Sequence, residues 1–175
     1  NDNNEDACSN SCEWQPVGMR WIPNGDYTIG RDDYGCWNDD GEFEGAGACA
    51  SPAHTVRLTR PFSMMAHEVT EAAYCEFDDG CNSNVTDEPI DAVTWIQATQ
   101  YANWLSEEKG LDPCYTYAAC PQDNQNCGGF AVSFAGLDCT GYRLPTEAEW
   151  ESAARSPNPE HRYAGSDNPA EVAQF

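Results

Sequence analysis

Gly141-Tyr142-Arg143-Leu144-Pro145-Thr146-Glu147-Ala148-Glu149-Trp150-Glu151-Ser152-Ala153-Ala154-Arg155 decides how the rest of the chain is read. Pro145 halts the segment before it, and Thr146 is placed to accept from the unpaired amides of a first helical turn. Glu149, three residues on, can reach back to the cap and complete a capping box. Ala148, Trp150, Ala153 and Ala154 supply helix-forming and apolar surface, while Pro157 and Pro159 prevent continuation. Glu147 and Glu149 suit the positive N-terminus and the cap, so the cluster Glu147, Glu149 and Glu151 reads as structural rather than as acid/base machinery.

Working outward, Thr94 is a second cap with Gln97 at the capping-box position. Trp95, Ala98, Tyr101, Ala102 and Leu105 recur behind it at helical spacing until Lys109 and Gly110 stop the helix. Thr70 predicts a shorter helix through Phe77, ended by Asp78-Asp79-Gly80. Met19 to Ile22 and Tyr27 to Ile29 flank the turn sequence Pro23-Asn24-Gly25-Asp26 and predict a hairpin. His54 to Leu58 is a strand, and Phe62 to Met65 continues the sheet after the Arg60-Pro61 break. Cys114 to Cys120 and Phe130 to Cys139 predict two strands joined by a polar loop. Periodicity alone gives an α+β chain with much irregular loop, without internal repeat and without a linker that would split it.

These residues, with others in the same order, resemble the formylglycine-generating enzyme family, also called the sulfatase-modifying-factor domain. Residues 142 to 155 are similar to its run Y-R-L-P-T-E-A-E-W-E-x-A-A-R, and Met19 to Gly30 resembles its opening M-x-x-I-P-G-G-x-F-x-M-G, with Asn24 and Tyr27 as departures. Pro52 to Leu58 resembles P-x-H-x-V-x-L. Glu68-Val69-Thr70 with Tyr74 resembles E-V-T-N-x-x-Y, Glu71 replacing the asparagine. Pro89 to Trp95 and Ala98 to Leu105 resemble P-V-x-x-V-S-W-x-x-A-x-x-Y-x-x-W-L. The likeness spans roughly Met19 to Asp167 and implies a C-type-lectin-like fold, loop-rich and stabilised by disulfides. On that basis residues 1–16 are expected to form an acidic, flexible tether and 17–175 the N-terminal portion of the family's domain.

The same resemblance bears on activity. In catalytic members the copper-binding cysteine pair, most calcium ligands and a glycine- and tryptophan-rich core segment follow the helix at 146 to 155, so no residue up to Phe175 inherits those roles. The resemblance therefore implies that another polypeptide segment, either the remainder of the same domain or another subunit, completes the fold over the Trp95 and Trp150 helices. Copper is expected only if that downstream half is present. Two functions follow. One is a secreted or cell-surface module for binding or assembly, its partner an extracellular protein or glycan. The other is the N-terminal portion of a copper-dependent oxidase that converts a sulfatase cysteine to formylglycine. Iron-dependent sulfoxide synthases share the family fold, so the domain alone does not fix a reaction.

Composition sets the outer limits. The 175 residues carry 30 acidic and 8 basic side chains, a net charge of −22 that opposes nucleic acid and anionic membranes and favours cations or basic partners. A well-solvated extracellular surface explains the same charge. Hydrophobic residues make up 40% of the chain, with six Trp and eight Tyr, enough for a core. No apolar run reaches the length of a membrane span, and the start at Asn1 suggests a removed signal segment, hence an exported protein: extracellular, surface-bound or periplasmic.

No residue is assigned to catalysis, to a cofactor or to a metal. His54, His67 and His161 are scattered, without metal-ligand spacing. Asp32-Asp33, Asn38-Asp39-Asp40 and Glu42-Phe43-Glu44 make calcium the one candidate cation, against a solvated acidic loop as the default, and Asp123 to Asn126 is a weaker case. Asn84-Val85-Thr86 is a glycosylation sequon. Ten cysteines without a C-x-x-C pair point to disulfides in an oxidising compartment. Local spacing pairs Cys8 with Cys12, Cys36 with Cys49 and Cys75 with Cys81, and an antiparallel hairpin nests Cys114–Cys139 around Cys120–Cys127. Non-reducing peptide mapping is therefore expected to find all ten oxidised. Reduction should lower the melting temperature sharply, at about 2–4 kcal/mol per bridge. Several thiols that alkylate without reductant would contradict this.

Overall fold

The structure, a computed structural model, describes residues 18–30, 52–81, 86–119, 130–155, 164–166 and 168–172. The chain divides into two units, one made of Asn1–Ala66 with Pro145–Phe175 and the other of His67–Leu144.

In the first unit, β1 (Met19–Ile22) and β2 (Gly25–Ile29) do not pair with each other, contrary to the hairpin that the turn sequence predicts. β1 pairs antiparallel with β4 (Phe62–Met65) in register Ile22↔Phe62, and β2 pairs antiparallel with β3 (His54–Leu58) in register Gly25↔Leu58. The reason lies in the connection. A two-residue hairpin needs positive φ at its first central position, which the pyrrolidine ring of Pro23 forbids, and neither Asn24 nor Gly25 adopts positive φ. Pro23-Asn24 instead bends one ribbon opposite Thr59-Arg60-Pro61, so three residues face two, as at a bulge. Asp26 and Arg57 lie directly opposite and form a two-pronged ion pair at 2.7 and 2.9 Å. The hydrogen bond from Arg57 holds the Asp26 carboxyl below its ordinary range, and both side chains are solvent-facing. α3 (Glu147–Arg155) packs against β2 and β3, and among the described residues of this unit Ile22, Ile29, Gly30, Glu149, Glu151 and Ser152 are buried.

In the second unit, Thr70 caps α1 (Glu71–Tyr74), its hydroxyl accepting from the Ala73 amide at 3.2 Å. The helix is shorter than the expected run to Phe77. The Tyr74 carbonyl takes both the Phe77 and Asp78 amides, and Asp78 then folds back on the Gly80 amide, turning the chain toward Cys81. Glu71, where the resembled family has asparagine, accepts from the amide and hydroxyl of Thr86 at 3.0 and 2.9 Å and so ties down the segment before α2.

α2 (Trp95–Glu108) opens on a full capping box between Thr94 and Gln97. It closes on a Schellman motif: the Gly110 amide donates to Glu107 and the Leu111 amide to Ser106, with Gly110 at φ +68°. Its buried residues are Thr99, Tyr101, Ala102 and Ser106, so the interior face is smaller and more polar than the apolar stripe at Trp95, Ala98 and Leu105 suggests. β5 (Tyr115–Ala119) and β6 (Phe130–Phe134) pair antiparallel with Tyr115 opposite Phe134. β6 stops earlier than the expected Cys139, because Gly136 at φ +99° turns the chain out of the strand. Burial pushes the phenols of Tyr101, Tyr117 and Tyr142 above their usual range.

Gly141 marks the closest approach in this unit. A Cβ there would collide with the Asp112 carbonyl and lie 2.6 Å from the Ser106 hydroxyl oxygen. Gly141→Ala is therefore expected to cost about 1–3 kcal/mol in thermal or urea unfolding. Gly25→Ala is the control. Its added carbon meets only the Tyr27 ring at 3.7 Å, so a change within about 0.5 kcal/mol is expected.

Candidate functional site

The helix whose sequence opened the reading carries its carboxylates to three different fates. Glu147 is exposed in the first turn. Glu149 is buried and accepts from the amide and hydroxyl of Thr146 at 2.8 and 3.1 Å, while its own amide donates to the Thr146 hydroxyl, which is the expected capping box. Glu151 does something no capping rule foresees. Its Oε1 accepts the Gly30 amide at 2.8 Å and pairs with Arg155 Nε at 3.0 Å, and Arg155 donates in turn to the Gly30 carbonyl at 3.4 Å. Both polar groups of Gly30 are thus taken by one helical i,i+4 ion pair, which anchors the end of β2.

The second unit builds a surface. Asn103 on α2 grips the Tyr115 backbone at both ends, donating to its carbonyl at 2.6 Å and accepting its amide at 3.0 Å. Ser106 donates to the Ala102 carbonyl and accepts the Tyr142 amide, both at 2.8 Å, and the Tyr117 hydroxyl reaches Thr99 at 3.1 Å. The Leu144 amide donates to the Tyr115 phenol at 3.0 Å. Tyr115 is therefore buried and fixed from four directions, counting its disulfide-bonded neighbour Cys114. Against its ring lie Phe134, stacked at 5.3 Å, and Trp95, edge-on at 6.3 Å. Those two outer rings are open to solvent, Trp95 at 57% and Phe134 at 43% exposure. A separate cluster of Tyr74, Phe77, Tyr101 and Trp104 packs its rings at 5.5 to 5.9 Å, and the Tyr74 hydroxyl in it is buried without a hydrogen-bond partner among the described residues.

The sequence-predicted sites fall as follows. Cys75 and Cys81 are joined across the turn after α1, and Cys114 and Cys139 are joined with Cα atoms 5.6 Å apart, beside the Ala102–Tyr115 core. Cys8, Cys12, Cys36, Cys49, Cys120 and Cys127, the acidic stretches at 32–44 and 123–126, His161 and Asn84 lie outside the described residues. His54 is exposed on β3 with Nδ1 3.0 Å from the Pro52 carbonyl, and His67 is exposed. Among the described residues no group of His, Cys, Asp or Glu is arranged to hold a metal ion, and no helix is long and apolar enough to cross a membrane. Sequence reasoning missed Asn103, Ser106 and Thr99. Their one signal is the spacing of small side chains at Thr99, Ala102 and Ser106, one face of a helix.

Comparison with known proteins settles the family. A model of the sulfatase-modifying factor enzyme 1-like domain matches residues 5–174. The chain belongs to that family. The chaperone protein LppX of Paenibacillus barcinonensis is 33% identical over 122 residues, which is 65% of this chain and 44% of that protein. The solved structure of Treponema denticola variable protein 1 shares the fold at a TM-score of 0.59 and 24% identity, covering 88% of this chain and 58% of that one. The chain thus spans about half the length of the relatives it matches. The α+β, loop-rich, disulfide-bridged architecture agrees with the C-type-lectin-like fold that the resemblance implied.

The Glu151 clasp is testable as it stands. Glu151→Ala leaves Arg155 and the Gly30 amide without their partner in a largely buried site. It is expected to lower unfolding free energy by about 3–5 kcal/mol, with Glu151→Gln, which can still accept the Gly30 amide, losing less. Equal losses in urea denaturation would show that charge plays no part.

Proposed function

We propose that the chain is an exported, non-catalytic module of the sulfatase-modifying factor family that binds a polypeptide partner. The observation that carries this reading is the pair of solvent-open rings Trp95 and Phe134, rigidly backed by the buried Tyr115. Large amphipathic rings held by a fixed backbone are the side chains that supply most binding energy at protein interfaces. The partner is another protein or the remainder of the same domain. The name of the Paenibacillus relative, chaperone protein LppX, points in the same direction. The disulfides Cys75–Cys81 and Cys114–Cys139 support export.

The second reading, the N-terminal portion of a copper-dependent oxidase, draws on the family's enzyme name. The described donor set does not fit copper: monovalent copper takes thiolates, and all four described cysteines are in disulfides. Calcium, if used, belongs to the acidic stretch at 32–44 and not to the aromatic face.

Two assays separate these readings. Light scattering from a reduced, aggregating test polypeptide should fall as chain is added, and a Trp95→Ser, Phe134→Ser variant should lose at least about half of that effect. Incubation with copper, dioxygen and a cysteine-bearing sulfatase peptide should yield no aldehyde. An aldehyde product that disappears when one of the chain's cysteines is replaced would establish the oxidase instead.

A further inference from the structure

β6 has one neighbour in its sheet, β5, and no described strand lies along its other side. The pairing fixes where its remaining backbone groups point. The Ala135 amide donates to the Cys114 carbonyl at 2.9 Å, so in this antiparallel ladder Ala135, Ser133 and Ala131 turn their amides and carbonyls toward β5. Val132 and Phe134 turn theirs outward, as Tyr115, opposite Phe134, turns its own away from β6 to meet Asn103. An edge strand is ordinarily guarded by a charge, a proline or a bulge. Phe130–Phe134 contains no charged residue and no proline, and its register with β5 runs without interruption. The ribbon β1–β4 carries Arg20, and β2–β3 carries Asp26 and Arg57, so β5–β6 is the one ribbon among the described strands without a charged side chain.

We infer that β6 accepts an extended segment of another polypeptide as a third, antiparallel strand, with large apolar side chains at alternate positions of that segment. This rests on the reading of the chain as a polypeptide-binding module and names how the partner is held. Donors and acceptors repeated every second residue match an extended backbone, whereas a helix spends its own backbone groups internally. Antiparallel is the sense of all three described ribbons. Residues laid opposite Val132 and Phe134 project onto the face where Val132 packs on the core and Phe134 stacks on Tyr115. Apolar side chains at those positions therefore extend the row of rings Trp95, Tyr115 and Phe134 and cover the open flank of Phe134. Backbone bonding holds the segment whatever its sequence, and the row selects the alternation. A second copy of this chain meets the repulsion of two net charges of −22 as the edges approach.

The test titrates the full chain with labelled peptides of about seven residues, a strand's length, that alternate Ile with Thr and carry a polar tail for solubility. In an antiparallel third strand the Ile residues lie opposite Val132 and Phe134, and their own amides face β6. N-methylation of the Ile amides is expected to weaken binding at least about tenfold, while N-methylation of the Thr amides leaves it within about twofold. Val132→Pro removes an outward donor and should weaken binding as much, with Val132→Ala, which keeps the amide, as its side-chain control. The methylated peptides probe the unaltered chain, so the test stands if the proline variant does not fold. A Ser/Thr peptide of equal length should bind at least about fivefold more weakly, and Phe134→Ser should erase that preference. Equal binding of the parent and both methylated peptides, lost with Trp95→Ser, would overturn strand addition and leave the module reading intact, the rings then acting alone. Absence of any binding by the parent peptide would also overturn it. A chain that sediments as a dimer, and as a monomer with Val132→Pro, would assign the edge to a second copy and overturn the inference.

Discussion

One amide side chain holds β5 to α2, and the exposed aromatic face depends on that attachment. Asn103 meets the Tyr115 amide and carbonyl together, as a neighbouring strand would, so the first residue of β5 is paired on its helix side as well as with Phe134 on β6. A buried backbone amide and carbonyl left without partners would cost on the order of 1–3 kcal/mol each, which makes a side chain with one donor and one acceptor in fixed geometry the effective solution. Ser106, one turn on, accepts the Tyr142 amide while donating to the Ala102 carbonyl of its own helix, and the absent side chain of Gly141 lets the two segments close. The Cys114–Cys139 bridge then joins the same two segments covalently; for a sequence separation of 25, loop-closure entropy contributes about 3.5 kcal/mol.

The first unit uses the same physics with a charge in place of an amide. Gly30 presents its amide and carbonyl to α3, and Glu151 and Arg155 take one each. Because the two side chains are four residues apart on one helix, helix formation alone makes them neighbours, and little further ordering is needed at the contact. In both units, then, a helix face holds irregular backbone by hydrogen bonds more than by apolar bulk. That suits a fold with so much loop.

This explains which parts of the structure could be read from sequence. Thr146 with Glu149, Thr94 with Gln97, and Thr70 were legible because caps are local: donor and acceptor lie within four residues, and the residue types are few. The antiparallel strands at Tyr115 and Phe130 were legible from alternation and from cysteines on either side. The partners of β1 and β2 were not, since proximity along the chain favours a hairpin and only the fixed φ of Pro23 opposes it. Nor were Asn103, Ser106 and Glu151 as interior anchors. A polar residue on a helix reads as solvent-facing, and its burial here is set by backbone 12, 36 and 121 residues away in sequence. The aromatic face lay between these cases: Trp95 was placed on the stripe that packs, yet it begins the helix and projects past the small residues that actually face inward.

Exposure of that size has an energetic meaning for recognition. A Trp and a Phe each bury roughly 150–250 Å² when fully covered. Covering the part that Trp95 and Phe134 leave open would therefore return roughly 5 kcal/mol at about 25 cal/mol per Å². Association of two chains costs about 4–15 kcal/mol before any contact is counted. The rings alone thus bring binding only to the threshold, and what carries a partner past it must come from the surroundings of the face. The rings therefore decide where a partner sits, and contacts beyond them decide whether it stays.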